Sequence, residues 1–85
     1  MSYTIIIEKK AQKEAEPIPA KNRAAIDKAI SSLSFNPSPV GSKKLTDKEG
    51  YRIRIGSYRV LYMIDHKTKL VVIYRIKIRS KHTYS

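Results

Sequence analysis

Two stretches decide the fold: YRIRIGSYRVLYMID (51–65) and LVVIYRIKIR (70–79). In Tyr51 to Ile55 apolar and cationic residues alternate, so a strand here turns Tyr51, Ile53 and Ile55 to one face and Arg52 and Arg54 to the other. Gly56-Ser57 then supplies a two-residue hairpin loop, and Tyr58 to Asp65 forms the returning strand. A loop of that length pairs Ile55 with Tyr58, Arg54 with Arg59, Ile53 with Val60 and Arg52 with Leu61. In the last strand the same alternation assigns Leu70, Val72, Tyr74, Ile76 and Ile78 to the core and Arg75, Lys77 and Arg79 to the outside. Matching apolar faces across the second hairpin sets Tyr62 against Val72 and Leu61 against Ile73. Arg59 then faces Arg75, and a lateral row Arg54, Arg59, Arg75 is expected. Like charges so placed cost a few tenths to about 1 kcal/mol per pair, and the outward positions within Arg52 to Arg54, Arg59 to Met63 and Val71 to Arg79 carry no acid to offset them. Folding alone does not select such a face; an anionic ligand does, and the planar guanidinium fork suits phosphate.

Upstream of these strands, Ser42 to Asp47 reads as a short strand and Lys48-Glu49-Gly50 as a turn, completing an antiparallel meander. NPSPVGS (36–42) breaks any helix before it. Ala20 to Leu33 carries Ala25, Ile26, Ala29, Ile30 and Leu33 on one helical stripe. Pro17 and Pro19 separate that helix from a shorter one at Lys9 to Glu16. Tyr3 to Glu8 is β-branched and extended. The expected class is therefore α+β: an N-terminal strand, a two-helix hairpin and a β-meander, β-α-α-β-β-β-β, in a single domain over residues 1–85.

The chain has 85 residues and a net charge of +11, with 18 Lys and Arg against 7 Asp and Glu. One small core is all that length can bury, and a charge outside the roughly 2 to 8 units comfortable for a small domain points to a polyanionic partner. The excess is uneven. Residues 43–85 hold twelve cations against three acids, whereas residues 1–42 hold six against four. Cysteine is absent, which excludes disulfides, thiolate nucleophiles and Cys-ligated zinc and leaves a reducing, cytoplasmic setting as the expectation. The apolar run Leu70 to Tyr74, which no other run in the chain exceeds, is far below the about 20 residues of a membrane span.

Known catalytic motifs are sparse. His66 and His82 have no acidic companions at ligand spacing, and there is no phosphate-binding glycine loop. No metal and no cofactor is expected. RNA cleavage remains feasible, because the 2′-hydroxyl of the substrate can attack its own phosphate when a base takes its proton and cations hold the phosphorane. The tail KIRSKHTYS (77–85) places Arg79, Lys81, His82 and Tyr84 close together, a composition suited to stacking on a base and transferring a proton.

KKLTDKEGYRIRIGSYRVLYMID (43–65), LVVIYRIKIR (70–79) and KHTY (81–84) resemble the RelE/ParE superfamily of toxins from type II toxin–antitoxin pairs, over essentially the whole chain. The resemblance, taken to the RelE-like branch, implies a ribosome-dependent mRNA endonuclease working in the decoding A site. It also implies silencing by a cognate, RelB-like antitoxin, acidic and helical, and a toxin–antitoxin complex that binds operator DNA. Arg52 and Arg54 stand where that branch has basic residues, often lysines, the second acting as general base. Arg59 stands at the phosphate-stabilising arginine, Arg79 at a later one, and Tyr84 at the tyrosine that stacks on the substrate base. His82 lies in a His-x-Tyr ending similar to that of the YoeB-like subgroup, where the histidine moves protons. Arginine at 54 departs from the lysine scheme: with a pKa of about 12.5–13.8 it is no base near neutral pH, so either His82 does the proton work or cleavage is slow.

The expected catalytic set is thus Arg54, Arg59, Arg79, His82 and Tyr84, with Arg52, Arg75, Lys77 and Lys81 binding RNA. Two other readings stand beside it, a ParE-like gyrase poison and a non-catalytic RNA-binding module. The basic row and the His/Tyr ending favour the nuclease.

Overall fold

In the computed structural model, which describes residues 2–39, 42–45 and 50–78, the chain runs β1 (Thr4–Ile7), α1 (Lys9–Ala15), α2 (Ala20–Ser32), β2 (Lys43–Lys44), β3 (Tyr51–Ile55), β4 (Tyr58–Asp65) and β5 (Leu70–Ile78). This is the expected α+β order. The strands make one sheet, β1-β5-β4-β3-β2. The last four pair antiparallel, and β1 joins at the edge parallel to β5, Ile5 beside Val71 and Ile7 beside Ile73.

Both helices lie on one side. Pro19 precedes the first residue of α2, where its fixed φ suits helix entry, and Ile26, Ile30 and Leu33 follow at helical spacing and are buried. Ala25, expected on the same stripe, is exposed instead, because Ile26 and Ile30 already cover the patch of sheet that α2 reaches. On the sheet the core residues are Tyr58, Val60 and Tyr62 of β4 and Val71, Ile73 and Ile76 of β5, with Ile53 and Ile55 packed beside them. Burying such side chains contributes roughly 1.5–3 kcal/mol each.

Register in the first hairpin is as expected, from Arg52 opposite Leu61 to Ile55 opposite Tyr58. The second hairpin departs from expectation. Asp65 pairs with Leu70 and Tyr62 with Ile73, but Leu61 pairs with Arg75, so Tyr74 is an extra residue in a bulge. Hence Val71 and Ile73 face the core, not Leu70 and Val72, and the bulge resets the phase so that Ile76 is buried beyond it while Ile78 is 58% exposed. Arg59 consequently faces Lys77, and Arg75 leaves the expected row. β2 is also shorter than the expected Ser42 to Asp47, part of which lies outside the described residues.

Glu14 on α1 anchors the strand beyond the bulge. β1 ends at Ile7, so the next stretch of β5 lacks a strand on that side. Glu14 accepts the Ile76 backbone N–H and the Arg75 Nε–H, each at 2.8 Å. One carboxylate thus satisfies an edge amide and neutralises Arg75. At the other end of the sheet the Asp65 carboxylate accepts the Lys67 and Thr68 amides. Those bonds, that from Thr68 foremost, hold its pKa below the usual value. The stabilisation is complete above the ordinary Asp pKa and is lost as pH falls through the lowered one.

Gly50, immediately before β3, has φ +147, a conformation that side chains rarely adopt, and a β-carbon there would lie 3.1 Å from the Tyr74 hydroxyl and 3.2 Å from the Tyr62 carbonyl oxygen. Strain and crowding act together, so Gly50→Ala will destabilise the protein by about 1–3 kcal/mol. Urea unfolding will report this as a lower midpoint at unchanged slope.

Candidate nucleic-acid interface

Cationic side chains gather on the sheet face away from the helices. Arg59 lies between the buried Tyr58 and Val60, Arg54 between Ile53 and Ile55, and Lys77 directly follows buried Ile76, so alternation turns all three outward. Their registers are direct, Arg54 opposite Arg59 and Arg59 opposite Lys77. With strands about 4.8 Å apart, the row crosses roughly 10 Å of sheet. Its middle member, Arg59, is half-buried, and its Nε is shielded from solvent without a hydrogen-bond partner. An orphaned charged donor between two more cations is costly in the free protein.

Arg52 also faces outward, two residues before Arg54, and its partner on β2 is Lys43. Lys43 was missed in the sequence because KK (43–44) has no alternation from which a face can be read; only pairing with β3 assigns one. Arg75, expected among the RNA-binding residues, is instead held by Glu14. Arg79, Lys81, His82 and Tyr84 lie outside the described residues.

The acids whose positions are described stand away from the row: Glu8, Glu14 and Glu16 on or beside α1, Asp27 on α2, Asp65 at the far end of β4. Farther down the same face the surface turns apolar, with Ile6 and Met63 exposed and Leu70 and Val72 partly so. This follows from the phase of β5, which turns outward the residues expected inside. On the helix side a groove of about 490 Å³ is walled by Ile18, Tyr58, Ile76 and Ile78 with Glu14 and Arg75 beside them, and of the row only Lys77 borders it. Among the described residues no group of three His, Cys, Asp or Glu could hold a metal ion, and no helix is long and apolar enough to cross a membrane.

The comparisons agree with this architecture. A family model described as the ParE toxin of the type II toxin–antitoxin system, parDE, matches residues 5–82. Toxin RelG of Mycobacterium tuberculosis is 33% identical over 82 residues, which are 94% of each chain. The archaeal RelE–RelB complex from Pyrococcus horikoshii contains a chain that matches with a TM-score of 0.85 at 28% identity, covering 95% of this chain and 99% of that one. A chain of the RelBE2 toxin–antitoxin complex of Mycobacterium tuberculosis matches with a TM-score of 0.83 at 29% identity, covering 93% and 100%.

Proposed function

The chain belongs to the ParE-toxin family of type II toxin–antitoxin systems, with the RelE/ParE fold, and we propose that within it the protein is an endoribonuclease that cuts mRNA on translating ribosomes. The observation that carries this reading is the outward row Arg54, Arg59 and Lys77, whose central guanidinium has a donor without a partner. The similarity to proteins named RelG and RelE supports it.

The chemistry follows from the substrate. The 2′-hydroxyl loses its proton to a base and its oxygen bonds to the adjacent phosphorus. The bond from phosphorus to the 5′ oxygen breaks, and an acid protonates that leaving oxygen. The products are a 2′,3′-cyclic phosphate and a 5′-hydroxyl. Negative charge grows on the non-bridging oxygens at the midpoint, where fixed cations stabilise it without reorganising. Arg59 is the principal such group, with Arg54 and Lys77 on either side. Arg54 contributes its charge. The proton carrier is His82, Tyr84 stacks on the base beside the cut, and Arg79 and Lys81 add positive charge.

In the cell a RelB-like antitoxin, acidic and helical, neutralises this face, and the complex of the two binds operator DNA. Arg75 takes no part in RNA binding under this scheme, since Glu14 already holds it. The substrate on the ribosome A site and the cytoplasmic location belong to the same proposal.

A second reading, poisoning of DNA gyrase, is favoured by the ParE description of the matching family. Induced expression separates the two. The nuclease reading expects translation to stop, with mRNA cut inside codons at the ribosome as mapped by primer extension. Intact transcripts alongside a DNA-damage response would instead establish the gyrase reading.

A further inference from the structure

We propose that Lys43 and Arg52 form a second phosphate subsite, so that the protein grips two successive phosphates of one RNA strand. The inference rests on the RNA-cleaving reading above and extends it to a residue that the site as first drawn does not contain.

Lys43 and Arg52 are directly paired across β2 and β3, and Arg52 and Arg54 share a face because they are two residues apart on one strand. Two residues of strand span about 6.8 Å, close to the separation of neighbouring phosphates along a nucleic-acid strand. The sheet therefore presents two cationic steps at the repeat of an RNA backbone. The upper step is Arg54, Arg59 and Lys77 on β3, β4 and β5. The lower is Lys43 and Arg52 on β2 and β3.

The lower step stops at β4 for two structural reasons. Its next position is Leu61, and the one after is Arg75, which the bulge and Glu14 remove. Positive charge in the two steps is consequently displaced sideways, centred on β4 above and on the β2–β3 pair below. A strand that meets both runs obliquely across β3 and not straight along a single strand of the sheet. Lys43 is exposed and Arg52 partly so, and both are open to a backbone laid on the face. Placing them opposite one another costs the fold a few tenths to about 1 kcal/mol, which an anion between them offsets.

The test compares two uncleavable probes on the full chain, a 2′-O-methyl hexanucleotide and a 2′-O-methyl dinucleoside monophosphate. The first spans both steps; the second carries one phosphate and prefers the three-cation step. Lys43→Gln is expected to weaken the hexanucleotide about fivefold at 0.1 M salt and to reduce the slope of log K against log salt by about 0.7, the contribution of one single-strand phosphate contact. The dinucleoside monophosphate, followed by NMR titration, is expected to change less than twofold. Arg59→Gln is expected to weaken both probes.

An unchanged hexanucleotide affinity and salt slope in Lys43→Gln and in Lys43→Glu, each folded by circular dichroism, would overturn the subsite, as would an equal loss on both probes. If Arg59→Gln weakens binding and the Lys43 variants do not, the subsite alone falls. If the wild-type chain binds neither probe, the RNA reading falls with it.

Discussion

Arg59→Ala will reduce mRNA cleavage on the ribosome by about 10²- to 10³-fold, the range seen when one preorganised donor is taken from a developing oxyanion, and will abolish growth arrest on induction. The stability of the same variant will not fall. Arg59 sits between Arg54 and Lys77, so its removal relieves two like-charge contacts of a few tenths to about 1 kcal/mol each and deletes a shielded donor that has no partner. Activity and stability thus move independently, which separates a functional residue from a structural one. Arg59→Lys keeps the charge but loses the fork and will fall between alanine and wild type. The measurements are primer-extension cleavage yield and urea midpoint on the same preparations. Full toxicity in Arg59→Ala would remove the row from the mechanism.

Tyr62→Ala will have the opposite signature, a loss of about 3–5 kcal/mol of stability, a large part of the 5–15 kcal/mol that holds a typical domain together. Tyr62 is 0% exposed and stacks on Tyr51 with ring centroids 5.8 Å apart. Its hydroxyl donates to the Pro37 carbonyl at 2.8 Å, tying the loop after α2 to the centre of the sheet. Tyr62→Phe keeps the ring and loses that bond together with the hydroxyl's interaction with Ser42, so it will cost about 1 kcal/mol. Urea unfolding of the pair divides the packing contribution from the polar one. Burial, the largest influence, pushes the Tyr62 phenol above its ordinary pKa. The unfolded chain therefore releases this proton first, and stability that is whole below about pH 10 declines as pH rises through the raised value. In Tyr62→Phe that part of the alkaline decline will be absent. An equal loss in the alanine and phenylalanine variants would mean that the bond, and not the ring, is what matters.

The two hairpins differ in how far the sequence specifies them. In β3 and β4 every outward residue next to the first turn is cationic and every inward one apolar or aromatic, so only one phase is possible. The two-residue loop then leaves one register, and Arg54 opposite Arg59 follows. In β5 the run LVVIY is apolar at both parities. Leu70 and Val72 satisfy the alternation as well as Val71 and Ile73 do, because the strand lies between β1 and β4 and carries apolar side chains on both faces. Counting inward from Ile76 chooses the wrong pair, since the bulge at Tyr74 shifts the phase midway. Lys77 therefore stands where Arg75 was expected.

Composition and spacing determined by themselves that this is a small, strongly basic α+β domain with a cationic hairpin face, because charge excess, helix breaks and the Gly56-Ser57 turn are local properties. Which cations stand side by side was decided by the tertiary structure. That choice depends on a bulge stabilised from α1, where Glu14 binds Ile76 and Arg75, and on the pairing of β2 with β3 that brings Lys43 to Arg52. Both are contacts between segments far apart in the chain, whose free energy belongs to the assembled sheet and not to any stretch of it.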